Sequence, residues 1–113
     1  MHFTPARLSE ILGAFARKRI LVIGDVMLDE FLWGRVTRIS PEAPVPIVEV
    51  RRRAAYPGGA ANVARNLASL GAQAGIAGVV GDDDPGRRLV QILSDKKIEA
   101  GSIRASAKRP TTH

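Results

Sequence analysis

A chain of 113 residues makes one domain at most, or a piece of one, with a modest core. Its 45% hydrophobic and 25% charged residues exclude a wholly disordered protein. The 17 basic and 11 acidic side chains leave a net charge of +6, and the lack of cysteine excludes disulfides, thiolate metal sites and cysteine nucleophiles.

From the N-terminus, Thr4-Pro5 is a helix start, with the hydroxyl as N-cap and proline at the first helical position. Leu8, Ile11, Leu12 and Phe15 follow at helical spacing, which predicts a short surface helix over 5–17. The charges around it and the absence of an apolar run of about 18 residues argue against a secretory signal or a membrane helix. The chain therefore reads as soluble, unexported and cytoplasmic. Next comes "RILVIGD", an unbroken apolar run closed by Gly24-Asp25, as expected of a strand buried on both faces.

Residues 36–53 differ in kind. Pro41, Pro44 and Pro46 interrupt a β-branched, partly alternating pattern. Proline cannot donate to a sheet ladder, so these strands belong at an edge or in a small separate sheet, as a flap on an α/β body. Within "YPGGAANVARNLASLGAQAG", Val63, Leu67, Leu70 and Ala74 predict a helix that begins near Gly59, buries that face and ends at a left-handed Gly71. "AGIAGVV" reads as a second buried strand, and Asp84-Pro85 opens a helix with Leu89, Ile92 and Leu93 on one face. The final "SIRASAKRPTTH" reads as a strand approached through a polar turn. Alternating strands and helices imply a parallel sheet with crossover helices.

Asp25 and Asp29 stand just past the end of the first strand, where open α/β sheets place ligands. Carboxylates there either accept hydrogen bonds from sugar hydroxyls or hold a metal, or else cap a turn and face solvent. Gly58 and Gly59 allow close approach of backbone to a ligand, and Asn62, one turn into the helix, both donates and accepts. This suits a polyol; the alternative is a glycine turn with a locally bonded asparagine. The aspartates of "GDDDPGRRL" precede a helix, whose dipole favours them there, so capping outweighs a metal site. There is no Gly-x-Gly-x-x-Gly and no Walker loop, which counts against a dinucleotide or P-loop enzyme. The clustered cations Arg51-Arg52-Arg53, Arg87-Arg88, Lys96-Lys97 and Lys108-Arg109 favour an anionic partner. With one Trp, one Tyr and three Phe, the stacking platforms of a nucleic-acid surface are missing, and we expect neither nucleic-acid nor membrane binding.

"GGAANVARNLASLGAQAGIAGVVGDDDPGR" resembles the N-terminal signature of the ribokinase-like, or PfkB, carbohydrate kinases. Within that family "GDVMLDEFLWGRVTRISPEAPVPIVEV" is similar to the heptose 7-phosphate kinases of lipopolysaccharide core synthesis. The resemblance implies a ribokinase-like, mostly parallel sheet flanked by helices, residues 1–113 being the N-terminal part of that kinase domain. It also implies a small β lid over the sugar, to which 36–53 and 103–113 are matched, and a homodimer formed through the lid. Asp29, Gly58, Gly59 and Asn62 match the family's sugar-binding residues, and Arg38 is a candidate for the substrate phosphate. The family's catalytic base lies in a Gly-Ala-Gly-Asp motif, together with the anion hole and the ATP site. No Gly-x-Gly-Asp occurs here, so that base is expected downstream of His113. ATP and Mg²⁺ are then cofactors of a longer enzyme, and these 113 residues alone are expected to be inactive and to hold no metal. The alternative is a non-catalytic sugar-binding or dimerising module derived from such a kinase.

Overall fold

In the computed structural model, which describes residues 2–113, Thr4 Oγ1 accepts the Arg7 N–H at 3.1 Å and opens helix α1, Pro5–Ala14. A 3₁₀ turn, Phe15–Arg17, leads into strand β1, Arg19–Ile23. The surface helix is where the spacing predicts it, and none of its residues is buried.

The flap is larger than its prolines suggest. Strands β2, Val26–Ile39, and β3, Pro46–Gly59, form a long antiparallel hairpin that is its own two-stranded sheet. Pro41 and Pro44 fall in the connecting turn, and Pro46 is the first residue of β3, so none interrupts the ladder. Bulges between Trp33 and Gly34 and between Val36 and Arg38 bend the outer half. Only the root of the hairpin is buried: Val26 and Leu28 are each 2% exposed and belong to the core, while the outer residues lie in solvent.

Helix α2, Ala60–Ser69, then leads to strand β4, Gln73–Gly81, helix α3, Asp84–Asp95, and strand β5, Glu99–Ser106. The main sheet is parallel, in the order β1-β4-β5. Helices α2 and α3 pack on the same face of this sheet, as right-handed crossovers stepping in one direction require. There Ala61 and Ala64 of α2 and Leu89 and Leu93 of α3 meet Ile76, Val80 and Ile98.

Two expectations change. The face that α2 buries is Ala61 and Ala64, not the stripe through Val63 and Leu70, which are 50% and 60% exposed. Alanines let the helix backbone approach the sheet where larger side chains would hold it off. β1 is not buried on both faces: Leu21 and Ile23 are 58% and 76% exposed, because the helices that pack on the sheet cover only the side of Val22. The segment 103–113 begins inside β5, beside β4 in the main sheet, and reaches the hairpin only where Thr112 bridges to Met27.

Candidate functional site

The hairpin, β1 and α2 converge at the C-terminal end of β1. The Ala60 N–H donates to the Asp25 backbone carbonyl at 2.7 Å, which seats the start of α2 on the residue just past β1. The link requires a left-handed turn. Gly59 supplies it at φ +58°, and a Cβ there would lie 2.5 Å from the Asp25 carbonyl oxygen. Among the described residues no side chain caps this helix, so beyond Ala60 the N–H groups of its first turn are left to a ligand or to solvent.

Alternation along β2 puts Leu28 into the core and turns Asp29 the other way. Asp29 is paired with Tyr56, and its carboxylate rests on the backbone of Gly58, where an added Cβ would come within 2.7 Å of Cγ. Both Asp25 and Asp29 are exposed, and among the described residues neither carboxylate accepts a hydrogen bond or ion pair. Such groups can receive hydroxyl donors. Asn62, half-buried in the first turn of α2, accepts from Arg65 Nη2 at 2.8 Å through Oδ1, leaving its amide N–H groups to donate outward. Together these residues offer acceptors, donors and bare glycine backbone in one corner of the fold.

Other features emerge only in three dimensions. Beyond Asp29, the same face of the hairpin carries Phe31 against Trp33 and Tyr56, with ring centroids 5.9 and 5.6 Å apart, and the Arg52 guanidinium 4.0 Å from the centre of the Trp33 ring. Arg38 is exposed on β2 opposite Ile47. Glu30 reaches Arg88 of α3 at 3.5 Å. The sequence signal for the ladder was the odd spacing of Phe31 and Trp33, hidden until the pairing with Tyr56 was known.

At the start of α3, Asp83 caps through Oδ1 from the Gly86 N–H at 2.9 Å, as the aspartate run suggests. It also accepts from Thr111, through the hydroxyl at 2.6 Å and the backbone N–H at 2.8 Å. Those bonds, led by the Thr111 hydroxyl, hold the Asp83 carboxyl below its ordinary range. Among the described residues no three His, Cys, Asp or Glu side chains are placed to hold a metal. A concavity of about 800 Å³ between Arg19, Gln73 and Glu99 lies at the opposite end of the strands and contains none of these site residues.

Comparison with known proteins supplies the context. The sequence pattern of the family described as pfkB family carbohydrate kinase matches residues 17–113. The chain is 56% identical over 108 residues to the bifunctional protein HldE of Hyphomonas neptunium, covering 95% of this chain and 22% of that protein. It is 52% identical over 97 residues to the D-beta-D-heptose 7-phosphate kinase of Bordetella bronchiseptica, covering 86% and 31%. The structure of aminoimidazole riboside kinase from Salmonella enterica, complexed with aminoimidazole riboside and an ATP analog, superposes with a TM-score of 0.56 at 29% identity, covering 82% of this chain and 27% of that one. The chain thus spans between about a fifth and a third of the length of these proteins.

Proposed function

This chain belongs to the pfkB family of carbohydrate kinases, and from that premise we propose that it is the sugar-gripping portion of an ATP-dependent heptose 7-phosphate kinase. The whole protein transfers the γ-phosphoryl group of ATP to the anomeric hydroxyl of the sugar, giving the 1,7-bisphosphate. The anomeric oxygen forms the new P–O bond, the bond to ADP breaks, and the hydroxyl proton passes to an aspartate outside residues 1–113. Mg²⁺, when bound to the whole protein, would supply charge neutralisation.

The observation that carries this reading is the unpartnered Asp29 carboxylate lying on Gly58 beside the uncapped start of α2. Asp29 accepts hydrogen bonds from sugar hydroxyls, Gly58 and Gly59 let the ring come against the backbone, and Asn62 donates from its amide. Their task is orientation: they hold the acceptor hydroxyl in line with the transferring phosphoryl group. The choice of heptose 7-phosphate rests on the 52% identity to a protein of that name, and the exposed Arg38 is assigned to the 7-phosphate. The product belongs to heptose supply for lipopolysaccharide, and the reaction to the cytoplasm, where ATP is available.

The hairpin is assigned a second copy of itself as partner. It exposes Phe31, Leu32, Val36, Val48 and Val50, and its strands pair in the described residues only with each other and, at one bridge, with Thr112. Pairing of two lids covers that apolar surface and the strand edges.

The deciding experiment supplies the full-length protein with ATP, Mg²⁺ and heptose 7-phosphate and follows ADP release with the ³¹P spectrum of the product. A new anomeric phosphate is expected. Turnover of a different sugar replaces the substrate assignment, whereas sugar binding with no turnover of any sugar favours the non-catalytic module. Sedimentation of wild type against Trp33→Ala tests the lid dimer, and a wild-type monomer at assay concentration removes it.

A further inference from the structure

The root of β2 has two neighbours. On one side β3 pairs with it; on the other, Thr112 forms a parallel bridge to Met27, and its carbonyl accepts the Leu28 N–H at 2.9 Å. Leu28 is the residue immediately before Asp29. The anchor for Thr112 is Thr111, 4% exposed and held from three directions. Its hydroxyl donates to Asp83 Oδ1 at 2.6 Å and accepts the Gly81 N–H at 2.8 Å, while its backbone N–H donates to Asp83 Oδ2 at 2.8 Å.

We propose that Asp83 is a positioning residue for the sugar site, holding the root of β2 through Thr111 and Thr112 so that Asp29 is presented in register over Gly58. The inference rests on the reading of Asp29 as a sugar ligand. Its physical basis is the period of a strand, in which a slip of a single residue sends every side chain to the opposite face. Outward of its root the hairpin is largely solvent-exposed, so the register near Asp29 depends on the contacts at this end. The Asp83 carboxylate does more than its capping role requires: one oxygen suffices for the Gly86 N–H, and the second is committed to Thr111.

That division permits a clean test in the full-length protein. Asp83→Asn retains an oxygen for the Gly86 N–H, and asparagine is as good an N-cap, so α3 is preserved. It turns an amide N–H₂ toward the Thr111 N–H, setting donor against donor. Thr111→Val is the second variant, with Thr111→Ser, which keeps the hydroxyl, as the rescue. Affinity for heptose 7-phosphate and for ATP is measured by calorimetry, and amide hydrogen exchange is followed at Leu28 and along α3.

For Asp83→Asn and Thr111→Val, sugar affinity is expected to fall roughly ten- to a hundred-fold, the loss that a small misplacement causes. ATP affinity and α3 protection stay near wild type, Leu28 exchanges faster, and Thr111→Ser restores both readouts. Unchanged Leu28 exchange with unchanged sugar affinity overturns the proposal, as does equal loss of protection throughout α3, which would make Asp83 a cap and nothing more. If the wild type binds no sugar, the reading of Asp29 falls and the sugar half of this inference falls with it. Leu28 exchange in Asp83→Asn then still decides whether Asp83 holds the root of β2.

Discussion

The Asp29 carboxylate and the Gly58 backbone occupy adjoining space so tightly that any Cβ at position 58 would come within 2.7 Å of Asp29 Cγ. The carboxylate therefore owes its position to the missing side chain of its neighbour. Gly58→Ala is expected to push Asp29 off the site, lowering sugar affinity about ten-fold or more at little cost in stability, because the exposed carboxylate can swing away. Calorimetry with heptose 7-phosphate and a urea titration read the two effects separately. Wild-type affinity in Gly58→Ala would show that the sugar does not depend on this contact.

Asp29→Asn keeps the shape and removes the charge. A hydrogen bond to a charged acceptor contributes about 1.5–3 kcal/mol, so kcat/KM for the sugar is expected to drop by roughly ten- to a hundred-fold with little change in thermal stability. Steady-state kinetics on the full-length protein decide it, and a change under two-fold argues that Asp29 faces only solvent.

Gly59 and Gly71 both have positive φ, at +58° and +97°, yet a Cβ meets the Asp25 carbonyl oxygen at 2.5 Å in the first case and nothing within 4 Å in the second. Gly71→Ala should cost about 1–2 kcal/mol from backbone strain alone. Gly59→Ala adds a clash with a carbonyl that is itself held by the Ala60 N–H, and should cost about 1–3 kcal/mol more. Equal losses in denaturant titrations of the two variants would contradict the close approach at Gly59.

Thr111→Val leaves the buried Gly81 N–H without its acceptor. The expected loss is about 1–3 kcal/mol, largely recovered in Thr111→Ser. Chemical denaturation of the full-length protein measures both.

Asp83 gives stability a direction in pH. Its folded carboxyl is held below 3.8, its ordinary value, by the Thr111 and Gly86 donors, so the folded state binds the proton more weakly than the unfolded one. The contribution is fully present above about pH 4 and is lost as pH falls through the lower, folded value. Thermal midpoints scanned from neutral to acidic pH should therefore show a steeper acid decline for wild type than for Asp83→Asn. Parallel profiles would mean that the Thr111 bonds do not favour the charged form.

Much of this was legible in order along the chain, because its signals are local. Thr4-Pro5 and the aspartates before Pro85 mark helix starts by cap chemistry, Gly71 marks a helix end by its backbone freedom, and alternating strand and helix patterns imply parallel crossovers. The glycine pair before Ala60 and the downstream Asn62 were readable as a helix entrance for the same reason. What the sequence determined by itself was therefore the elements and their parallel arrangement.

The tertiary structure decided which faces are covered and which distant residues meet. Whether Val63 or Ala64 is buried depends on how near α2 comes to the sheet, and β1 is bare on one side because both crossover helices pack on the other. The contact of Asp29 with Gly58 joins residues far apart in sequence, and the link from Asp83 through Thr111 and Thr112 to Leu28 spans most of the chain. Such contacts leave no periodicity, since each partner is chosen by the path of the backbone through space and not by its neighbours along it.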